Sequence, residues 1–226
     1  MTCAAPERHE PGAALDRHRH TDGYIALVLE GGYEEAGETG RLRAAPGTVV
    51  VHHPWSAHRD RFGTRGARVL NLPLAAGLDE GPGTVADPDA IVRLAERDPV
   101  AAAEAVRADF RPRAIEAVDW PDLLARALST DETFAIRDWA HEVGLDPASV
   151  SRGFSRVYGV SPKRFRLETR TRRALLALAD WSGSLAALAA ECGFADQAHL
   201  ARSARTLTGT APSFLRRSDT GDPGEA

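Results

Sequence analysis

The chain has 226 residues, 43% of them hydrophobic and 27% charged, a balance that suits a folded globular protein and excludes a disordered or collagen-like one. No run approaches the ~20 apolar residues of a membrane span, so no membrane partner is expected, and a formal net charge of −4 argues against a generally basic nucleic-acid binder. The opening residues lack the apolar stretch of a signal peptide and the two cysteines, Cys3 and Cys192, cannot build a disulfide framework, so a cytoplasmic location is expected.

Residues 1–78 read as β-rich. Tyr24–Leu29 is a strand candidate, with a turn expected at Glu30-Gly31-Gly32. Pro46-Gly47 opens the β-branched run Thr48–His52, and Ala67–Leu72 is a third strand. Short strands with frequent turns predict a small antiparallel sandwich or barrel. Leu78–Thr84 has the composition of a linker. Two helices are expected in the connector 79–118, over 87–97 and 98–110, with Asp87-Pro88 and Asp98-Pro99 as N-cap and N1 pairs. From Trp120 the chain reads as helices alone, over 119–217, and the polar tail 218–226 is expected to be disordered. The formal charges of the four segments are 0, −4, +3 and −3, so only 119–217 is basic.

The strongest signal is an internal repeat. Ile136, Trp139, Ala140, Val143, Gly144 and Leu145 recur 49 positions later as Leu185, Leu188, Ala189, Cys192, Gly193 and Phe194. Val150, Arg152, Gly159, Pro162 and Arg166 recur 50 positions later as Leu200, Arg202, Gly209, Pro212 and Arg216. Each copy places apolar residues at helical spacing, ends them with a glycine suited to positive φ, and opens a second helix at Asp146 or Asp196. A short helix, a glycine turn and a second helix form a helix-turn-helix. In the DNA-binding version the second helix enters the major groove.

The exposed face of that helix would carry Ala148, Ser151, Arg152 and Ser155 in the first copy. In the second it would carry Gln197, Ala198, Ala201 and Arg202. Arg can read guanine and Gln can read adenine, while small neighbours let the helix approach base edges. Between the copies, Ser161-Pro162 opens a long helix to about Asp180, with Leu167, Ala174, Leu175 and Leu178 as its packed stripe. A plain helical bundle with solvated arginines is the simpler alternative, but it does not require the repeated glycine, turn and Arg-bearing helix.

The stretches Phe154–Arg166 and Leu188–Arg202, the latter continuing through Gly209-Thr-Ala-Pro212 to Arg216, resemble the two signatures of AraC-type transcriptional regulators. The resemblance implies that two helix-turn-helix units read successive major grooves of a promoter. It departs from the usual pattern at Leu200 and Ala204, where the family carries aromatic residues, and it reads Cys192 as a packing residue. The N-terminal text His18-Arg-His20, Glu30-Gly-Gly and Ala45-Pro46-Gly47 through His58 resembles the small cupin barrels that precede such domains. The implied fold class is α+β in two domains: a cupin-like β-barrel, then an all-α domain with two helix-turn-helix motifs.

By the same resemblance His18, His20 and His58 would converge inside the barrel, as residues two apart on a strand face the same way. Three imidazoles suit Zn, Ni, Cu or Fe. The place of the family's carboxylate holds Tyr24, which becomes a candidate effector contact. Three roles stay open for the cluster: a metal site, a pocket for an organic effector, or packing. His52 and His53 are further candidates, of which alternation along a strand admits only one.

The leading reading is a non-enzymatic, sequence-specific transcription regulator. Its partners would be double-stranded promoter DNA, a small-molecule or metal effector, RNA polymerase and a second copy of the chain in a homodimer. The competing reading is a cupin metalloenzyme of dioxygenase or isomerase type with an incidental helical domain. The sequence offers no nucleophile elbow, P-loop or dinucleotide fingerprint for other enzyme classes.

Overall fold

A computed structural model describes residues 5–130 and 134–219. Two compact units divide the chain: residues 1–126 with 153–159, and 127–152 with 160–226. The first is rich in sheet and the second is helical.

The sheet unit contains β1 (Glu7–His9), β2 (Ala14–Arg19), β3 (Tyr24–Gly37), β4 (Gly40–Ala44), β5 (Thr48–His52), β6 (Ala57–Pro73), β7 (Gly81–Thr84) and β8 (Arg111–Pro112). Every pairing is antiparallel. The strand order is β1-β6-β3-β5-β7-β8, with β2 also on β6 and β4 also on β3. All three strands read from the sequence are present, but two are longer than expected. The predicted turn at Glu30-Gly31-Gly32 is not a reversal. β3 continues through it with register shifts against β6, at positive φ for Gly31 and Gly32. Two adjacent glycines here absorb a bulge, not a hairpin. The Leu78–Thr84 linker is likewise part strand, since Gly81–Thr84 pairs with β5.

The run Ile25–Val28 is buried throughout, which is what a strand covered on both faces requires. Ile25 and Leu27 face a core shared with Val49, Val51, Leu70 and Leu72, sealed by α1 (Pro88–Ala95) and α2 (Pro99–Asp109). Ala26 and Val28 face the opposite core, with Tyr33, Val50, Phe62 and Val69. Both helices start as expected. Asp87 Oδ1 accepts from Ala90 N at 2.9 Å, and Asp98 Oδ1 accepts from Val100 N and Ala101 N at 3.0 and 2.9 Å.

The remaining helices are α3 (Trp120–Thr130), α4 (Ile136–Glu142), α5 (Pro147–Tyr158), α6 (Pro162–Ala177), α7 (Leu185–Glu191), α8 (Gln197–Thr208) and α9 (Pro212–Asp219). α6 stops three residues short of the expected Asp180, and its buried face also includes Phe165, Glu168, Thr171 and Arg172. α9 takes in Ser218 and Asp219, the first two residues of the expected tail; 220–226 lie outside the described residues, as does Cys3. Leu188, Ala189, Cys192, Phe194 and Leu200 pack with Ala174 and Leu178 in one core. Burial pushes the Cys192 thiol pKa up, so Cys192 sits there as a small apolar side chain.

The start of α8 supplies a direct test of its cap. Asp196 Oδ1 accepts from His199 N at 2.6 Å. Asp196→Ala is expected to lower stability by about 1 kcal/mol, read from urea unfolding. A change below about 0.3 kcal/mol would show that the cap contributes nothing of note.

Candidate functional site: a duplicated helix-turn-helix and a buried histidine cluster

The repeat seen in the sequence is a repeat of backbone geometry. Gly144 and Gly193 take φ of +70° and +73°. Leu145 N donates to Ala140 O, and Phe194 N to Ala189 O, each at 2.8 Å. A six-to-one bond around a left-handed glycine is a Schellman stop, and here it occurs twice, 49 residues apart. One turn later Asp146 Oδ1 accepts from Ser149 N at 2.8 Å, as Asp196 does from His199 N. Hydrogen bonding to the Ser149 backbone holds the Asp146 carboxyl below its ordinary pKa. Gly159 and Gly209 then close α5 and α8 at φ +75° and +76°.

This geometry divides each second helix into two faces. Val150 and Leu200 point inward and are buried. Ala148, Ser151, Arg152, Gln197, Ala198 and Arg202 are exposed, while Ser155 and Ala201 are half-buried. Arg152 Nη2 donates to Ser149 Oγ at 3.1 Å, so its guanidinium lies along the exposed face near the helix start. Leu200 and Ala204, the departures from aromatic residues, are 1% and 0% exposed. Small side chains there are fully packed.

In the sheet unit, His18 on β2 lies opposite His58 on β6, and their rings are 4.4 Å apart between centroids. His20 follows β2, with its ring 5.1 Å from His18 and 5.5 Å from His58. The Trp55 N–H donates to the His20 carbonyl at 2.9 Å from a backbone at φ +59°, which ties the loop before β6 to the end of β2. Each of the three histidines offers a ring nitrogen within 4.8 Å of the others. The three expected residues therefore do meet. His18 Nδ1 lies 2.9 Å from the Asp16 carbonyl. A carbonyl only accepts, so Nδ1 is the donor, and in the neutral ring Nε2 is the nitrogen left to act as a ligand.

Alternation sorts the other two histidines. His52 turns into the cluster, with its ring 4.6 Å from His58 and 4.5 Å from Tyr24. His53 faces the other way and bonds the Leu78 carbonyl at 2.7 Å. Tyr24 Oη is 3.5 Å from His58 Nε2, and the Tyr24 ring is 4.7 Å from that of His20. A cavity of about 590 Å³ opens onto His18, His20, Tyr24, Glu35, His58 and Asp60.

Sequence reading missed the two carboxylates. Glu35 on β3 and Asp60 on β6 are direct cross-strand partners, both buried. Glu35 Oε2 lies 3.5 Å from His52 Nε2, and Asp60 Oδ2 lies 3.7 Å from His58 Nε2. Burial, then Asp60, raise the Glu35 pKa well above the carboxylate range, and burial lifts Asp60 to about 7. Burial and the neighbouring histidines lower His58, so its imidazole is neutral at physiological pH. The missed signal was simple. Asp60 lies two residues from His58 on one strand and must share its face.

Residues 139–218 match the family described as a helix-turn-helix domain. Among solved structures, the chain is similar to a transcriptional regulator from Chromobacterium violaceum described by its AraC-type DNA-binding domain, at 25% identity and TM-score 0.40, covering 45% of this chain and 91% of that one. It is also similar to unsaturated fatty acid-bound ToxT from Vibrio cholerae, at 11% identity and TM-score 0.46, over 97% and 96% of the two chains. A third likeness is to a salicylate 1,2-dioxygenase from Pseudoaminobacter salicylatoxidans, at 16% identity and TM-score 0.28, over 29% of this chain and 19% of that one. No curated protein matches the sequence.

The duplicated stop, cap and exposed helix lie within the matched residues and make them a helix-turn-helix domain. That domain occupies the C-terminal part of the chain, with a sheet-rich domain ahead of it.

Proposed function

We propose that α5 and α8 read promoter DNA through Ala148, Ser151, Arg152 and Ser155, and through Gln197, Ala198, Ala201 and Arg202. The observation that carries this reading is the repeated geometry, which presents matched helix faces 50 residues apart with an arginine at the same place in each. Arginine at that place forks onto guanine O6 and N7. The sheet domain is the sensing unit, not a catalytic one. Its histidine cluster receives either a divalent transition metal (Zn, Ni, Cu or Fe) on His18, His20 and His58, or a small organic effector with Tyr24 as a contact. Ligand binding then acts on transcription by favouring one arrangement of the protein over another. A cytoplasmic location, contact with RNA polymerase and action as a homodimer fit this role.

The test is binding to the DNA upstream of the protein's own coding sequence, measured by fluorescence anisotropy over a salt series. The parent is expected to lose affinity steeply with salt. Arg152→Ala and Arg202→Ala are each expected to weaken specific binding by about 1–3 kcal/mol. They should also relax base preference at one position each. Parent-like binding by both variants would remove the base-reading assignment.

A further inference from the structure

The histidine cluster has two levels, and they differ in charge. His18 and His20 lie at its outer side, half-buried and exposed, with no carboxylate in their set. Glu35 and His52 lie at its inner side, buried like His58, and these three also bring one ligand atom each within 4.8 Å of the others. His58 belongs to both sets. We propose that the sheet domain binds a divalent first-row transition metal at the inner set, Glu35, His52 and His58, with His18 and His20 lining the entrance. This goes beyond the sensing role above, because it takes the ion off His18 and His20, keeps it on His58, and adds His52 and a carboxylate, Glu35, that the sequence does not point to.

Three observations carry the assignment. The first is missing positive charge. Glu35 and Asp60 face each other across β3 and β6, and among the described residues the basic groups in ion-pair range of them are the imidazoles of His52 and His58, while the Arg17 charge acts on His58 from farther away. A buried carboxylate pair has to stay protonated or take up a cation. A metal at the inner set supplies that charge, whereas one on the outer set leaves the carboxylate outside its ligands.

The second is unmet bonding capacity. His58 Nδ1 and Asp60 Oδ1 are buried without a hydrogen-bond partner, and buried polar atoms in native structures are nearly always satisfied. Both atoms belong to residues that face this cluster. Asp60, two residues from His58 on the same strand, has Oδ2 3.7 Å from His58 Nε2 and is placed to support the site from outside the ligand set.

The third is ligand chemistry. Two imidazoles and one carboxylate form a set that suits zinc and ferrous iron and leaves positions open. The cavity in front of Glu35, His58 and Asp60 gives an ion and a further ligand a route in.

The experiment uses the full-length protein without a His tag. Zinc content is measured by elemental mass spectrometry and affinity by cobalt titration, followed by visible absorption. Glu35→Gln, His52→Ala and a His18→Ala/His20→Ala double variant are compared with the parent. Promoter binding without added metal and far-ultraviolet circular dichroism check that each variant folds. The parent is expected to hold one equivalent of metal.

Glu35→Gln and His52→Ala should each lose affinity by at least the about 10–100-fold that follows loss of an outer-sphere partner. The double variant should stay within about threefold of the parent. Zinc should raise the melting temperature of the parent and the double variant, but not of Glu35→Gln. Glutamine keeps the shape of a protonated glutamate, so this variant separates loss of a ligand from loss of fold. Binding lost in the double variant and retained in Glu35→Gln would place the ion on the outer set and overturn the proposal. A parent that takes up no metal after reloading also overturns it, while promoter binding by that same protein leaves the DNA-reading assignment standing.

Discussion

Gly31→Ala is expected to destabilise the sheet domain by more than about 4 kcal/mol, a loss confined to a few mechanisms such as backbone strain and overpacking. Both act here. Gly31 takes φ +69°, a conformation that costs a residue with a Cβ about 1–2 kcal/mol. A Cβ at this position would also overlap the carbonyl oxygen of Gly66, which itself sits at φ +65°. The obstacle is backbone, held by the β3–β6 ladder on either side, so no side chain can swing away. Relief requires moving one of the two longest strands of the sheet. At about 2–4 °C per kcal/mol for a chain of this size, the melting temperature should fall by about 10 °C or more. Gly12→Ala is the control. It shares a positive φ, +71°, but a Cβ there meets nothing within 4 Å, so it should show only the conformational cost. Equal effects at the two positions would mean that the close approach of Gly31 to Gly66 is not what the fold depends on.

Leu200→Ala is expected to cost about 2–5 kcal/mol, the range for truncating a buried leucine. Leu200 is 1% exposed and packs among Ala174, Leu178, Leu188, Ala189 and Phe194. Those neighbours come from α6 and its C-cap, from α7 and from the turn before α8, so the loss falls on the packing that holds α8. Removing three methylene-sized groups leaves a cavity whose walls are held by helix backbone, and collapse can recover only part of it. Leu200→Met conserves volume and should cost less than about 1.5 kcal/mol. Calorimetry of the full chain distinguishes the two variants. A cost for Leu200→Ala below about 1 kcal/mol would show a loosely packed site.

The two domains were legible in the sequence to different depths, for physical reasons. The helical domain announced itself because a helix-turn-helix depends on local chemistry. Gly144 and Gly193 must adopt positive φ, Asp146 and Asp196 must accept from the following turn, and Val150 and Leu200 must be apolar. Each requirement leaves a residue at a fixed offset, and the requirement occurs twice. The sheet domain depends on pairings between distant residues. Nothing local distinguishes a bulge at Gly31-Gly32 from a turn, because both ask for glycine. What decides is β6, about 35 residues away, continuing to pair along β3. Thus β3 and β6 are longer than their apolar runs.

The histidine cluster shows the same limit. His18 and His20 share a face by alternation, and so do His58 and Asp60. That Glu35 lies opposite Asp60, or that His52 reaches His58, follows only from the register between strands. The metal ligands proposed above depend on that register.

Lys163, exposed in the first turn of α6, is the only lysine in the chain, against 27 arginines. Lysine acylation erases a positive charge. Here it has a single side-chain amine to act on. On the DNA-reading assignment proposed above, acylation of lysine can remove at most one side-chain positive charge from the helical domain.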